Sequence, residues 1–266
     1  MGGSRVITKK TDADFEKMKI AGACVAAMHA ATREAAAPGV TTGELDDIAR
    51  AVLKEWDCRP SFLGYGGPTN PFPGVICTSP NSAIVHGIPG DYRLRDGDIL
   101  SIDAGAIHEG WHGDAAYTMA IGEVPEEVAN LLAVTEAALW AGIEQAVAGN
   151  RLGDIGAAVE AVAAPHGLGV VRDYVGHGIG RNMHEAPSVP NYGHAGKGLR
   201  LKTGMALAIE PMFNLGTADS VVLDDDWTVV TADGKWSAHF EHTVLLTSEG
   251  SFVSTLAEPR LVGVTG

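Results

Sequence analysis

The stretch LRDGDILSID, Leu94 to Asp103, returns in the second half of the chain as LKTGMALAIE, Leu201 to Glu210. Both begin with leucine and a basic residue, turn at a glycine (Gly97, Gly204), run apolar and end in an acid, so that Asp103 corresponds to Glu210. The match extends outward on both sides. Upstream, His86-Gly87-Ile88 aligns with His177-Gly178-Ile179; downstream, Asp114 in GDAAYT aligns with Glu241 in FEHTVL. Further upstream, each half has a long segment with few breakers, Asp14 to Ala37 and Glu126 to Ala148, that reads as a helix, the second opened by Pro125. A glycine-containing break and a second helical segment follow each, Thr41 to Ala49 and Asn150 to Ala158. The repetition predicts an α+β fold: a duplicated helix-helix-strands unit about a pseudo-twofold axis, with antiparallel strands in the middle and helices packed on them.

With 266 residues and 45% hydrophobic content, the chain can bury a substantial core. Its longest apolar stretches, Ile20 to Ala31 and Val128 to Val147, are broken by Gly, His, Glu, Asn or Gln, short of the roughly 18 uninterrupted residues of a membrane span. Met1-Gly2-Gly3-Ser4-Arg5 leads to Lys9 and Lys10 without an apolar signal segment, so a cytoplasmic protein is expected. Cys24, Cys58 and Cys77 are too few and too irregular for a disulfide framework or a CxxC zinc site, and are expected to be reduced thiols. A formal charge of -14 opposes attraction to nucleic acid, whose binding needs Lys and Arg to replace phosphate counterions. Two bound divalent ions would leave that balance acidic.

The four acids of the repeat carry the chemistry. Asp103 and Asp114 flank a hairpin signal, Ile107-His108-Glu109-Gly110, about equally far from its centre, so simple pairing sets them directly across from each other. Like charges in that position are destabilising, and Asp is poorly suited to strands. Asp103 and Glu210 also end apolar runs, where an unpaired charge is very costly. A shared proton, a basic partner or a cation would relieve the conflict. Few basic residues lie near these motifs, whereas His86, His177 and His184 fall in glycine-rich turns nearby, so a divalent metal fits best. Four carboxylates and an imidazole form an oxygen-rich set suited to Mn, Fe(II) or Co, and bridging carboxylates make a pair of ions natural.

The motifs HGIP (His86 to Pro89), DGDILSIDAGA (ending at Ala106), GWHGDAAYT, YVGHGIGRNMHEAP, MALAIEPM and FEHTVL occur together in this order. Their spacings are 11 residues from Asp103 to Asp114, 7 from His177 to His184 and 31 from Glu210 to Glu241. In this combination the chain resembles the methionine aminopeptidases of type I, in the short bacterial form, from about Asp12 to about Leu256. The resemblance implies the pita-bread fold, a curved antiparallel sheet with helices on its outer face. It also implies a short extension (1–11), one catalytic domain (12–256, with half-repeats of about 12–122 and 123–256) and a C-terminal tail (257–266).

The same resemblance implies two divalent ions, Co, Mn, Fe(II) or Zn. Asp103 and Asp114 would hold one, His177 and Glu210 the other, with Asp114 and Glu241 bridging both. His86 and His184 match two histidines that do not bind metal, one near the scissile amide nitrogen and one near the carbonyl oxygen. A bridging water is the implied nucleophile and Glu210 the general base and acid. Tyr65, Cys77, Met183 and Trp227, with Phe62 nearby, match the methionine pocket, where soft groups suit a thioether. The implied substrates are nascent polypeptides and peptides beginning with Met before a small residue. A monomer with at most transient ribosome contact is expected, with no nucleic acid and no membrane partner.

Some features depart from the common pattern. The proline-containing loop from Gly66 to Gly74 reads as longer, Met183 stands where an aromatic is frequent, and Gly105 and Ala208 stand where threonine is often found beside the acids. The 33 positions from His177 to Glu210 leave no room for the helical insertion of type II enzymes, and the short N-terminus lacks the zinc-binding extension of longer forms. Two alternatives share the fold: an Xaa-Pro aminopeptidase or prolidase, and a metal-free pita-bread protein used for binding.

Overall fold

The computed structural model describes residues 7–258 and 260–262. The first half holds α1 (Asp12–Ala35), α2 (Thr42–Glu55), β1 (Arg59–Pro60), β2 (Ile76–Pro80), β3 (Ala83–Val85), β4 (Ile99–His108) and β5 (Trp111–Ala120). The second holds α3 (Glu126–Gln145), α4 (Leu152–Ala163), β6 (Gly169–Val170), β7 (Gly176–Gly178), β8 (Glu185–Val189), β9 (Ala206–Ile209) and β10 (Met212–Asn214). It continues through β11 (Ser220–Val222), β12 (Val229–Thr231), β13 (Ser237–His239), β14 (Glu241–Leu246), β15 (Ser251–Val253) and β16 (Arg260–Val262).

Local chemistry starts the helices where the sequence signals them. Thr11 and Asp14 form a reciprocal capping box at the head of α1, and Thr41 and Glu44 do so at α2. Asp154 accepts from the Arg151 N–H at the start of α4, and Pro125 precedes Glu126 and Glu127 in the first turn of α3.

The main sheet is antiparallel, in the order β1-β4-β5-β14-β9-β7-β8, with β2 on β4 and β15 and β16 continuing from β14. Its two halves are built alike. In the first, β2 pairs with β4 and β4 with β5; in the second, β7 pairs with β9 and β9 with β14; β5 and β14 join them. This is the duplicated α+β architecture expected from the sequence.

Strand periodicity sorts the two faces. Ile102, Ala104, Ala115, Tyr117, Leu207, Ile209 and Val244 belong to one buried core with Val25 and Met28 of α1, Leu45 of α2, and Leu139 and Ile143 of α3. Each such large side chain contributes roughly 1.5–3 kcal/mol by leaving water. The close approach is enforced at Gly113: a Cβ there would lie 2.7 Å from the Gly22 nitrogen of α1. Since Gly113 and Asp114 point to opposite faces, α1 covers the face away from the acids.

Three expectations are corrected by the register. The hairpin turns at Glu109-Gly110, both with positive φ (48° and 82°), one residue later than the sequence centre suggested. A type I′ turn needs two left-handed residues, and this placement gives one of them to glycine. Asp103 therefore pairs with Ala116 and Asp114 with Gly105, making the two acids diagonal neighbours on one face instead of direct partners. Secondly, the two His-Gly-Ile stretches are not equivalent: His177 lies on β7, bonded to β9, whereas His86 follows β3, which pairs with β12. Thirdly, part of the stretch read as a tail is β16, paired with β15 through Ser251↔Val262. Of the stretch read as an extension, residues 1–6 lie outside the described residues. Lys10 is anchored by its N–H to the Gly204 carbonyl (2.8 Å) and by a buried ion pair with Glu185 (2.8 Å).

Candidate metal centre

The register places the acids in one row. Asp103 pairs with Ala116, and Ala116 pairs on its other side with Glu241. Asp114, two residues from Ala116, points to the same face. Cys77 joins from β2, opposite Asp103, and His177 from β7, opposite Ala208, two positions before Glu210. His86, His184, Met183 and Trp227 meet this row from the surrounding loops and line the same cavity, of about 620 Å³ including open solvent at its mouth. That is room for the end of a peptide.

Asp114, His177 and Glu241 are buried and form one cluster with donor atoms within 4.8 Å of one another; Glu210, His239 and Glu241 form a second. Glu241 belongs to both. Asp103 lies outside these tight clusters but on the same cavity wall. The His177 Nε2 is 3.5 Å from Glu210 Oε1 and 3.9 Å from Asp114 Oδ2. Its Nδ1 is 2.9 Å from the Gly178 carbonyl, which holds the ring proton there and leaves the Nε2 lone pair facing the acids.

Several of these atoms are buried without a partner: Asp103 Oδ1, Asp114 Oδ1, Glu241 Oε1 and His239 Nε2. Among the described residues, the ion pairs of Lys and Arg lie elsewhere, and these carboxylates pair only with His177 and His239. Burial lifts the Asp103 carboxyl to about 7 and those of Asp114, Glu210 and Glu241 well above the ordinary range, because neighbouring negative charge cannot be solvated there. Burial also lowers His177 to about 3 and His86 to about 4, keeping both rings neutral. Orphaned carboxylate oxygens beside a neutral imidazole lone pair are what divalent cations satisfy, so the residues fit a metal pair.

Residues 16–248 match the sequence model of the family described as Metallopeptidase family M24. A methionine aminopeptidase of Clostridium acetobutylicum is 49% identical over 254 residues, 95% of this chain and 100% of that protein. The crystal structure of a methionine aminopeptidase from Thermotoga maritima superposes with a TM-score of 0.91 at 41% identity, covering 94% of this chain and 100% of that one. The chain belongs to metallopeptidase family M24, among its methionine aminopeptidases. A prolidase from Pyrococcus furiosus shares the fold alone, with a TM-score of 0.74 at 22% identity over 94% of this chain and 66% of that one.

In this M24 chain the apolar wall of the cavity stands beside the acids. Phe62, Tyr65, Cys77, Met183 and Trp227 line it together with Phe72 and Val85. Phe72 stacks edge-on against Phe62 and Trp227, with centroids at 6.5 and 5.3 Å. The long loop is part of this wall: the Gly66 backbone abuts the Trp227 ring, and Asn70 donates to the Asp225 carbonyl. His86 reaches the cavity with φ at 60°, a left-handed conformation that costs a non-glycine residue roughly 1–2 kcal/mol. At Gly105 a Cβ would meet the Ser61 side chain at 2.7 Å.

Sequence reasoning missed Phe72, Val85, His239 and Thr243. Phe72 sits between Pro71 and Pro73 in a loop without periodicity. His239 was legible in principle, two residues before Glu241 in SAHFEHT and therefore on the same side of an extended segment. Thr243 bridges β14 to β5 beyond their last backbone pair, accepting from the Asp114 N–H (3.0 Å) and donating to the Asp114 carbonyl (2.8 Å).

Proposed function

We propose that this enzyme removes the N-terminal methionine from nascent proteins and peptides whose second residue is small. The observation that carries the proposal is the row of four carboxylates, Asp114 and Glu241 buried and Asp103 and Glu210 half-buried, with one neutral imidazole, beside an apolar, sulfur- and aromatic-lined recess. The near full-length likeness to methionine aminopeptidases supports it.

In this reading Asp103 and Asp114 would hold one divalent cation and His177 and Glu210 the other, with Asp114 and Glu241 serving both. When bound, such cations supply Lewis acidity that makes a water molecule a nucleophile at neutral pH. Glu210 takes a proton from that water and returns it to the departing amine. His86 orients the scissile amide nitrogen, and His184 donates to the carbonyl oxygen as negative charge develops on it. Phe62, Tyr65, Cys77, Met183 and Trp227, with Phe72, receive the methionine side chain, whose polarizable sulfur suits aromatic and thiol neighbours. The acids of the row favour a substrate carrying a free ammonium.

Mn, Co or Fe(II) matches the oxygen-rich donor set. The reading extends to a monomeric cytoplasmic enzyme with no more than transient contact with the ribosome. Among the described residues no helix is long and apolar enough to cross a membrane. The test is release of free methionine from Met-Ala-Ser by protein loaded with Mn, Co or Fe(II). Release from Xaa-Pro peptides in its place would assign the chain to the prolidase-type activity.

A further inference from the structure

His239 has no role in the reading above, yet its ring stands inside the acid cluster. Its Nε2 is sealed from solvent, has no hydrogen-bond partner, and lies 3.6 Å from Glu210 Oε2 and 4.0 Å from Glu241 Oε2. On the other side of the same carboxylate, His177 Nε2 lies 3.5 Å from Glu210 Oε1. Glu210 is thus held between two imidazoles, one facing each oxygen.

The rings differ in what they present. His177 directs its Nδ1 at a backbone carbonyl, so the nitrogen facing Glu210 carries a lone pair. For His239 the nitrogen facing the acids is flanked by two carboxylate oxygens, and that negative surface draws the neutral ring's single proton to Nε2.

The backbone of His239 is fixed independently of the cluster. Thr118 Oγ1 accepts from its N–H (2.9 Å) and donates to its carbonyl (2.8 Å), with Ser101 Oγ 2.8 Å from the same hydroxyl. On the β10 side His239 pairs with Met212. The ring therefore projects from a rigid backbone support between β5 and β10.

We propose that His239 is a positioning residue for Glu210: its Nε2–H faces Glu210 Oε2 and leaves Oε1, on the His177 side, as the oxygen presented to a cation. It acts through Glu210, orienting the carboxylate that the proposed function makes both a metal ligand and the proton carrier, and in that respect rests on that reading. A carboxylate with one oxygen so engaged cannot rotate to offer both oxygens to metal, which keeps one orientation for proton transfer.

The test compares His239→Phe, which keeps a flat ring and removes the N–H, with His239→Gln, which restores an N–H donor. Metal-free full-length protein is titrated with Co(II) by calorimetry, and the visible spectrum of the loaded protein is recorded. His239→Phe is expected to weaken Co(II) binding about 10- to 100-fold, to shift the visible bands and to lower kcat on Met-Ala-Ser similarly, with KM within about threefold. His239→Gln is expected to recover affinity and kcat to within about tenfold of the unaltered protein. Unaltered Co(II) affinity and spectrum in His239→Phe, or a His239→Gln variant no better than His239→Phe, overturns the proposal. If His239→Phe fails to fold, His239→Leu takes its place under the same criteria. Failure of the unaltered protein to release methionine counts against the proposed function alone, since the Co(II) comparison still decides the role of His239.

Discussion

The phenol oxygen of Tyr65 lies 2.7 Å from Nδ1 of His184, across the mouth of the cavity. The two residues come from opposite halves of the chain, and their rings pack with centroids 5.3 Å apart. A phenol is a stronger acid than a neutral imidazole N–H, so Tyr65 donates to Nδ1 and the His184 proton resides on Nε2. That tautomer is the one able to donate to a developing oxyanion. Tyr65→Phe removes the donor and keeps the ring. Loss of one such bond, about 1 kcal/mol, is expected to reduce kcat on Met-Ala-Ser by about fivefold, with metal stoichiometry unchanged. Steady-state kinetics check this; an unaltered kcat would leave Tyr65 a packing residue.

Asp114 and Glu241 are the acids expected to serve both ions, and each is almost fully buried. Asp114→Asn and Glu241→Gln keep size and remove charge. Each is expected to retain fewer than two ions after desalting and to lose methionine release by at least about 100-fold, beyond what loss of a supporting contact produces. Elemental analysis alongside the peptide assay decides it. Full turnover by either variant would rule out the shared role.

Much of this centre was legible in the sequence because the constraint is local. An acid closing an apolar run, as at Asp103 and Glu210, conflicts with its surroundings in any fold, and the repeat gave the pairing of halves. Register was less legible. Whether Asp103 and Asp114 meet directly or diagonally depends on which two residues take the left-handed turn, and one position of error changes the partner. His86 and His177 share a tripeptide but not a strand environment, because three residues carry too little pattern to fix a sheet neighbour. Phe72 joins the pocket through the course of a long loop, which hydrophobic periodicity does not encode.

The buried charges also set a pH dependence. A carboxyl raised on folding, as in Asp103 at about 7, contributes stability that is full below its unfolded value and is lost as pH rises through the folded one. An imidazole lowered on folding, such as His177 at about 3, His86 or His239 at about 4, contributes stability that is full above about 6.5 and is lost as pH falls through its folded value. Between pH 7.5 and 8.5 these imidazoles are almost entirely neutral in the unfolded as well as the folded state, so the raised carboxylates dominate. Metal-free protein is therefore expected to lose stability across that window as the raised carboxyls ionise. Cations replace the protons, so loaded protein is expected to hold its stability there. Urea melts at the two pH values, with and without Mn(II), measure both slopes. A metal-free protein equally stable at pH 7.5 and 8.5 would contradict a buried acid cluster.

Thr243 tests whether the position of Asp114 depends on the strand behind it. The backbone pairing of β14 with β5 ends at His242↔Ala115, and the Thr243 hydroxyl then serves both the N–H and the carbonyl of Asp114. Thr243 is fully buried, so water cannot replace it there. Thr243→Val preserves shape and leaves two buried backbone groups without partners, at roughly 1–3 kcal/mol each. The expected outcome is a loss of about 2–5 kcal/mol in urea melts together with metal affinity weakened about 10-fold or more, because Asp114 is no longer held in line. Thr243→Ser keeps the hydroxyl and is expected to lose only the methyl's packing, about 1 kcal/mol, with metal affinity retained. Equal metal affinity in the two variants would mean that β5 fixes Asp114 without help, and that the threonine serves stability only.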